Sequence, residues 1–251
     1  MHPSPQYEQA VNASDSEAMQ PIASVHSNLE KTILLIDLEP NNRFSDVHGH
    51  LTDFKHKLTQ CALSLVTAED SDNALEALEN HGSKHHLTAV LIWSMDFALF
   101  KRRNYQVDLD LIQAILRYTR NGGHTVLHGV DMMSSTNDFF RYDCNLPWKH
   151  ECDSWSLLQF IRNRGFKTRF GGDLDARLPR RLRLGFQAEL RDVATEDLLY
   201  VSESPNDRPN NQSQGPFAMT VLGSGSLGWF GGVLAEESTR EILYIMLKLE
   251  G

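Results

Sequence analysis

The chain predicts an α/β fold built on a mostly parallel sheet. Three observations carry this. Short continuous apolar runs at Thr32–Leu38, Thr88–Trp93 and Thr125–Val130 read as strands covered on both faces. Between them lie stretches with a helical apolar period, as at Leu111, Ile112, Ile115 and Leu116. Strands therefore alternate with helices, which implies right-handed crossovers and parallel neighbours.

The elements follow in chain order. Residues 1–30 are polar and rich in Ser, Gln, Pro and Ala, and read as a flexible extension, with a docked helix over Ser14–Ile22 as the other option. Residues 31–251 read as a single domain. Thr32–Leu38 is the first strand, broken by Glu39-Pro40-Asn41-Asn42. Asp53–Gln60 reads as a helix that starts somewhere after Ser45. Ala62–Ala68 alternates and is β-branched, which makes it a second strand. Ser71, Asp72 or Asn73 caps a helix running to about Asn80, and Gly82 stops it. Thr88–Trp93 is the third strand. Val107–Thr119 is a helix ended by Asn121-Gly122-Gly123, and Thr125–Val130 is the fourth strand.

Beyond Val130 the pattern loosens. Ser154–Arg164 reads as helical and Asp197–Val201 as a short strand. Arg177, Arg180, Arg181 and Arg183 crowd around Leu178-Pro179; they suit an anionic ligand, but a solvated loop is the commoner meaning. Ser202–Gly215 is rich in Pro, Asn and Ser and reads as a surface loop. Phe217–Leu222 and Ser226–Phe230 read as a hairpin around Gly223-Ser224-Gly225. Glu236–Leu249 closes the chain as an amphipathic helix, with Ile242, Leu243, Ile245, Met246 and Leu249 facing inward.

Composition excludes some functions. The net charge of -9 argues against nonspecific nucleic-acid binding, which needs a basic surface. No apolar run approaches the ~20 residues of a membrane span. No basic-then-apolar leader is visible, and the three cysteines, Cys61, Cys144 and Cys152, form an odd set. A cytoplasmic protein with reduced thiols is the expectation. Pairing with a second copy of the chain is common for such folds, but no surface here is marked for it.

Several segments resemble one family. Asn121-Gly-Gly-His-Thr-Val-Leu-His-Gly-Val130 resembles the strand and elbow of class I glutamine-amidotransferase-like proteins. It looks closest to the trehalose-utilisation-type branch and to uncharacterised fungal members. Asn145-Leu-Pro-Trp-Lys149, Asp192–Tyr200 and Gly223–Glu237 are similar to further segments of that group, so the resemblance spans Thr32–Leu249. Positions Gly232 and Leu234 depart from it, since relatives often carry Asp and Asn there. The resemblance implies a flavodoxin-like, doubly wound sheet with helices on both faces and a site at the strand C-termini. Open α/β sheets bind ligands there on physical grounds as well.

The family's elbow carries a catalytic cysteine, and this chain has none there. The slot falls at Val130, give or take one residue, and Gly129, Val130 and Asp131 offer neither thiol nor hydroxyl. Glutamine hydrolysis through a Cys-His pair is therefore not expected. His128 and Asp131 are the best remaining acid/base pair, against the plainer reading of His128 as a buried strand-end residue. The resemblance brings Asp46, His48 and His50 towards His128, and the rim adds Trp93 and Ser134 as ligand contacts. His48 and His50 share a face only if their segment is extended.

No cofactor is expected. A divalent metal on His48, His50 and His128 is the minor option, because the spacing is not diagnostic; Cys144, His150 and Cys152 fit zinc spacings still less well. Gly223-x-Gly225-x-x-Gly228 matches a dinucleotide fingerprint by letters, but a strand and not a helix follows it. The function expected is binding of, or non-covalent acid/base chemistry on, a polar and perhaps sugar-like molecule. The other option is an inactive relative serving as a binding or scaffold subunit.

Overall fold

The computed structural model describes residues 31–38, 45–60, 64–82, 87–94, 105–129, 136–151, 157–166, 177–185, 187–203, 213–234 and 237–249. At 45–50, 60, 81, 82, 94 and 105–108 it describes the backbone alone. The extension, the Ser202–Gly215 loop for the most part, Cys61, Cys152, Asp131 and Ser134 lie outside the described residues.

A six-stranded sheet forms the centre. Its strands are β1 (Thr32–Asp37), β2 (Ser64–Ala68), β3 (Leu87–Ser94), β4 (His124–His128), β10 (Phe217–Leu222) and β11 (Gly225–Phe230). They lie in the order β10-β11-β4-β3-β1-β2. All pairs are parallel except the β10–β11 hairpin. The helices are α1 (Ser45–Gln60), α2 (Ser71–Ala77), α3 (Tyr105–Arg120), a short turn α4 (Thr136–Asp138) and α5 (Glu237–Met246).

The sheet is covered on both sides, as its continuous apolar strands require. Even-numbered residues of β1, Leu34 and Ile36, pack with Ala74 and Ala77 of α2 and with Leu111, Ile115 and Leu116 of α3. The alternate residues, Ile33 and Leu35, pack with Leu51, Phe54 and Leu58 of α1 and with Ile242, Leu243 and Met246 of α5. This is the doubly wound, flavodoxin-like arrangement. Chain order along the sheet reverses between β1 and β3, because the chain winds outward from β1 to β2 and then back to β3 on the other side.

Local chemistry sets the joints. Asp70, and not Ser71, caps α2: its carboxylate accepts from the Asn73 backbone N–H at 2.8 Å. Gly223, at φ 67°, turns the β10–β11 hairpin, and a Cβ there would stand 2.5 Å from Arg120 O. The turn is a hairpin, which removes the dinucleotide reading of its glycines.

Two small sheets pack at the side. β5 (Lys149–His150) pairs with β8 (Leu190–Arg191), and β6 (Leu158–Arg162) lies between β7 (Arg181–Leu184) and β9 (Tyr200–Ser202). The second of these corrects the expected helix over Ser154–Arg164. Its described part, 157–166, is strand and turn. Pairing on both edges outweighs the local helical preference of Leu158–Arg162. The arginine cluster is corrected as well, since Arg181 and Arg183 are the exposed alternation of a strand whose Leu182 and Leu184 are buried. The strand expected at Asp197 begins at Tyr200, after a 3-10 turn over Thr195–Asp197. Asn163 holds these pieces together: its side-chain nitrogen donates to Thr195 O at 2.6 Å and Leu198 O at 2.8 Å.

Candidate functional site

The C-terminal rim of the sheet collects the polar residues that an apolar strand cannot hold in its middle. Asp37 ends β1 and His128 ends β4, and both are buried. A carboxyl group is costly to bury without compensation, so its position at a strand end beside the order reversal is informative. The sequence carried the signal, a carboxylate closing an otherwise apolar run, but Asp37 was not among the expected site residues.

A register slip shapes this corner. Ile36 pairs with Ile92, whereas Asp37 pairs with Ser94, so Trp93 is the extra residue of a bulge. Asp37 follows Ile33 and Leu35, and Trp93 follows Ala89 and Leu91, on the α1–α5 side of the sheet. Both thus stand on one side of the rim.

His128 joins them there. Its ring lies against the Trp93 indole, with centroids 3.8 Å apart and planes 6° from parallel. Phe230 follows at 5.8 Å from His128, Phe217 at 5.2 Å from Phe230, and Tyr200 at 5.7 Å from Phe217. Five rings therefore form a row across the strands β3, β4, β11 and β10 to β9. Adjacent strands lie about 4.8 Å apart, so one ring per strand brings neighbours into contact. The row fixes the His128 ring and leaves it 0% exposed. Trp93 Nε1 is buried with no hydrogen-bond partner among the described residues.

The elbow is tight. A Cβ on Gly129 would stand 2.2 Å from the Trp229 indole, so no side chain fits beneath that ring without displacing it. Trp229 is itself anchored, donating from Nε1 to Ala188 O at 3.0 Å. Position 129 therefore cannot host a nucleophile in this packing; Val130 and Asp131 lie outside the described residues.

The remaining expected residues separate as follows. The segment with Asp46, His48 and His50 is the first part of α1 and is helical. Positions two apart on a helix differ by about 200° around its axis, so the extended geometry that would align His48 and His50 is not present. Ser134 lies outside the described residues. No group of three or more metal-ligating side chains occurs among the described residues. Cys144 is buried, and burial, with Asp143 adding to it, pushes its thiol up to about 12. No described helix is long and apolar enough to cross a membrane.

Comparison with known proteins bears on the fold. No family model matches the chain, and no curated protein matches it. Among solved structures it resembles a ThuA-like protein from Bacteroides uniformis, with a TM-score of 0.56 and 13% identity over 91% of this chain and 94% of that one. It also resembles a β-galactosidase from Bacillus circulans sp. alkalophilus, with a TM-score of 0.50 and 10% identity. That likeness takes in 87% of this chain but 30% of the β-galactosidase. At such identities the shared property is the fold.

Proposed function

We propose that this domain binds a small polar, sugar-like molecule at the C-terminal rim of its sheet and acts on it by non-covalent acid/base chemistry. One observation carries the proposal: buried Asp37 and His128 flank Trp93 on one side of the rim, at the order reversal. A histidine can take and return a proton near neutral pH, and a carboxylate can orient the ligand or the imidazole. His128 is the proton-transferring group, Asp37 the orienting one, and Asp131, three residues after His128, the second carboxylate. The ThuA-like and β-galactosidase folds support the sugar-like class, as does the resemblance to the trehalose-utilisation-type branch of the glutamine-amidotransferase-like proteins. Amidotransfer is not part of the proposal, because the elbow from Gly129 to Asp131 has no thiol.

A second reading is favoured by the complete burial of His128 within the ring row. In it the rim is a binding or scaffold surface without catalysis.

A thermal-shift screen of sugars, sugar acids and divalent metals tests the first reading. A ligand at about a hundred times its Kd stabilises by about 2.7 kcal/mol, a shift of roughly 5–11 °C for a chain of this size. That shift is expected in the wild type and lost in Asp37→Asn and His128→Gln. Equal stabilisation of all three proteins would remove both residues from the site. Binding without turnover of the bound molecule would favour the scaffold reading.

A further inference from the structure

The opposite end of the sheet carries a polar feature unrelated to the rim. Helix α3 leads into the N-terminal end of β4, and Gln113, Arg117, Arg120 and Asn121 line a surface pocket of about 410 Å³ along its last turns. Residues four and seven apart on a helix share a face, so Gln113, Arg117 and Arg120 form one exposed stripe, opposite the buried Leu111 and Ile115. The backbone of the last turn is already satisfied. The carbonyls of Arg117, Tyr118, Thr119 and Arg120 accept from the N–H groups of Asn121, Gly123, Gly122 and Ser224 at 3.1, 3.1, 3.2 and 2.9 Å. The side chains are therefore not needed as caps. Arg120 Nη2 donates to Asp143 O at 2.8 Å, which holds that guanidinium against the helical turn Phe139–Asp143. The Arg117 guanidinium has no hydrogen-bond or ion-pair partner among the described residues.

Two guanidiniums three residues apart are like charges on one helix face, an unfavourable pairing that an anion between them reverses. A guanidinium has donors and no acceptor, and its planar fork matches the paired oxygens of a carboxylate or a phosphate. Gln113 and Asn121 stand one turn before and one turn after Arg117, and their carboxamides add further donors. Among the described residues no carboxylate lines the pocket. Asp143 is near enough for Arg120 to act on its carboxyl, although burial is the larger influence there and raises its pKa. Asp143 thus offsets part of the Arg120 charge, which makes Arg117 the leading contact. The C-terminal end of a helix opposes an anion with roughly half a charge, and two full positive charges outweigh it. The chain as a whole carries -9, so it does not gather anions nonspecifically.

We infer that this pocket is a second ligand site, independent of the rim, for a small multiply charged oxyanion, the chemistry that phosphates and polycarboxylates share. Arg117 and Arg120 grip the anion, and Gln113 and Asn121 donate to its remaining oxygens. Titration calorimetry with pyrophosphate and with citrate, at fixed ionic strength, tests this on the wild type, Arg117→Gln, Arg117→Lys, Asp143→Asn and Arg164→Gln. At least one of the two anions should bind the wild type with a Kd of about 1 mM or tighter. Arg117→Gln should weaken that binding by roughly tenfold. Arg117→Lys keeps the charge but not the fork and should recover only part of the loss. Asp143→Asn removes a like charge and should tighten the binding, which mere loosening of the fold would not do. Arg164 is exposed and does not line the pocket, so Arg164→Gln makes the same change in net charge elsewhere and should leave the Kd within about twofold. Arg117 is exposed as well, so its substitution leaves the core untouched. Tighter binding of pyrophosphate assigns the site to phosphates and tighter binding of citrate to polycarboxylates, and either result supports it. No binding of either anion to the wild type would overturn the inference. Binding unchanged in Arg117→Gln, or weakened equally in Arg117→Gln and Arg164→Gln, would overturn it too.

Discussion

The imidazole of His128 lies flat on the indole of Trp93, with ring centroids 3.8 Å apart and planes 6° from parallel. The contact ties the C-terminal ends of β3 and β4 together beside the order reversal. It makes His128 a packing residue as well as the proposed proton-transferring group, and these roles separate on substitution. His128→Ala should destabilise the fold by about 2–4 kcal/mol through the emptied volume and lost stacking. His128→Phe keeps a ring in the row and should stay within about 1.5 kcal/mol of wild type while abolishing any proton transfer. Urea unfolding of the two variants checks this; equal losses would mean that the stacking contributes little.

Gly129→Ala should cost about 1–3 kcal/mol, because its Cβ would stand 2.2 Å from the Trp229 ring. Relief by Trp229→Phe in the double variant would identify the ring as the obstacle. If Gly129→Ala matches the wild type in chemical denaturation, the Trp229 ring yields freely to a side chain at the elbow.

His124 makes stability depend on pH. Burial first, and Lys248 second, lower its pKa from 6.5 to about 4 in the folded chain, where its Nδ1 lies 2.8 Å from Ser226 Oγ. Between those values the unfolded chain binds the extra proton, so stability is complete above pH 6.5 and falls as the pH drops towards 4. Asp143 acts in the opposite sense, since burial raises its pKa. The difference between wild type and His124→Gln is therefore the quantity to follow. The urea midpoint of the variant should fall less across this window; parallel curves would acquit His124.

Cys144 should resist thiol reagents in the native state. Its thiol is buried and pushed up to about 12, so little thiolate forms near pH 8. Peptide mapping after alkylation should show Cys144 modified only under denaturing conditions. Rapid native labelling would mean that the α4 turn and the segment after it open readily.

Parts of this molecule were legible in the sequence because they depend on local pattern. The apolar runs at β1, β3 and β4, the stripe of α3 and the glycine turn at Gly223 each state their own structure. The second half was harder. Leu158–Arg162 has no decisive period in five residues, and its strand state comes from β7 and β9, which lie far along the chain. The alternation of Arg181 to Leu184 was present but was outweighed by the density of arginine. His128 was legible as a candidate because a polar residue at a strand end stands out. Asp37 ends its strand in the same way, but its place at the rim depends on the register of β1 against β3, which sets it beside the Trp93 bulge.

By itself the sequence determined the α/β class, the sheet's first four strands and the lack of a thiol at Gly129–Asp131, since each follows from residues close together in the chain. Tertiary structure decided which strand ends meet. Asp37, Trp93 and His128 come from three separate segments, and strand order, a bulge at Trp93 and side-chain alternation bring them to one side of the rim. Their burial follows from that packing: the cost of placing a carboxylate or an amide away from water is a property of its surroundings and not of its neighbours in the chain.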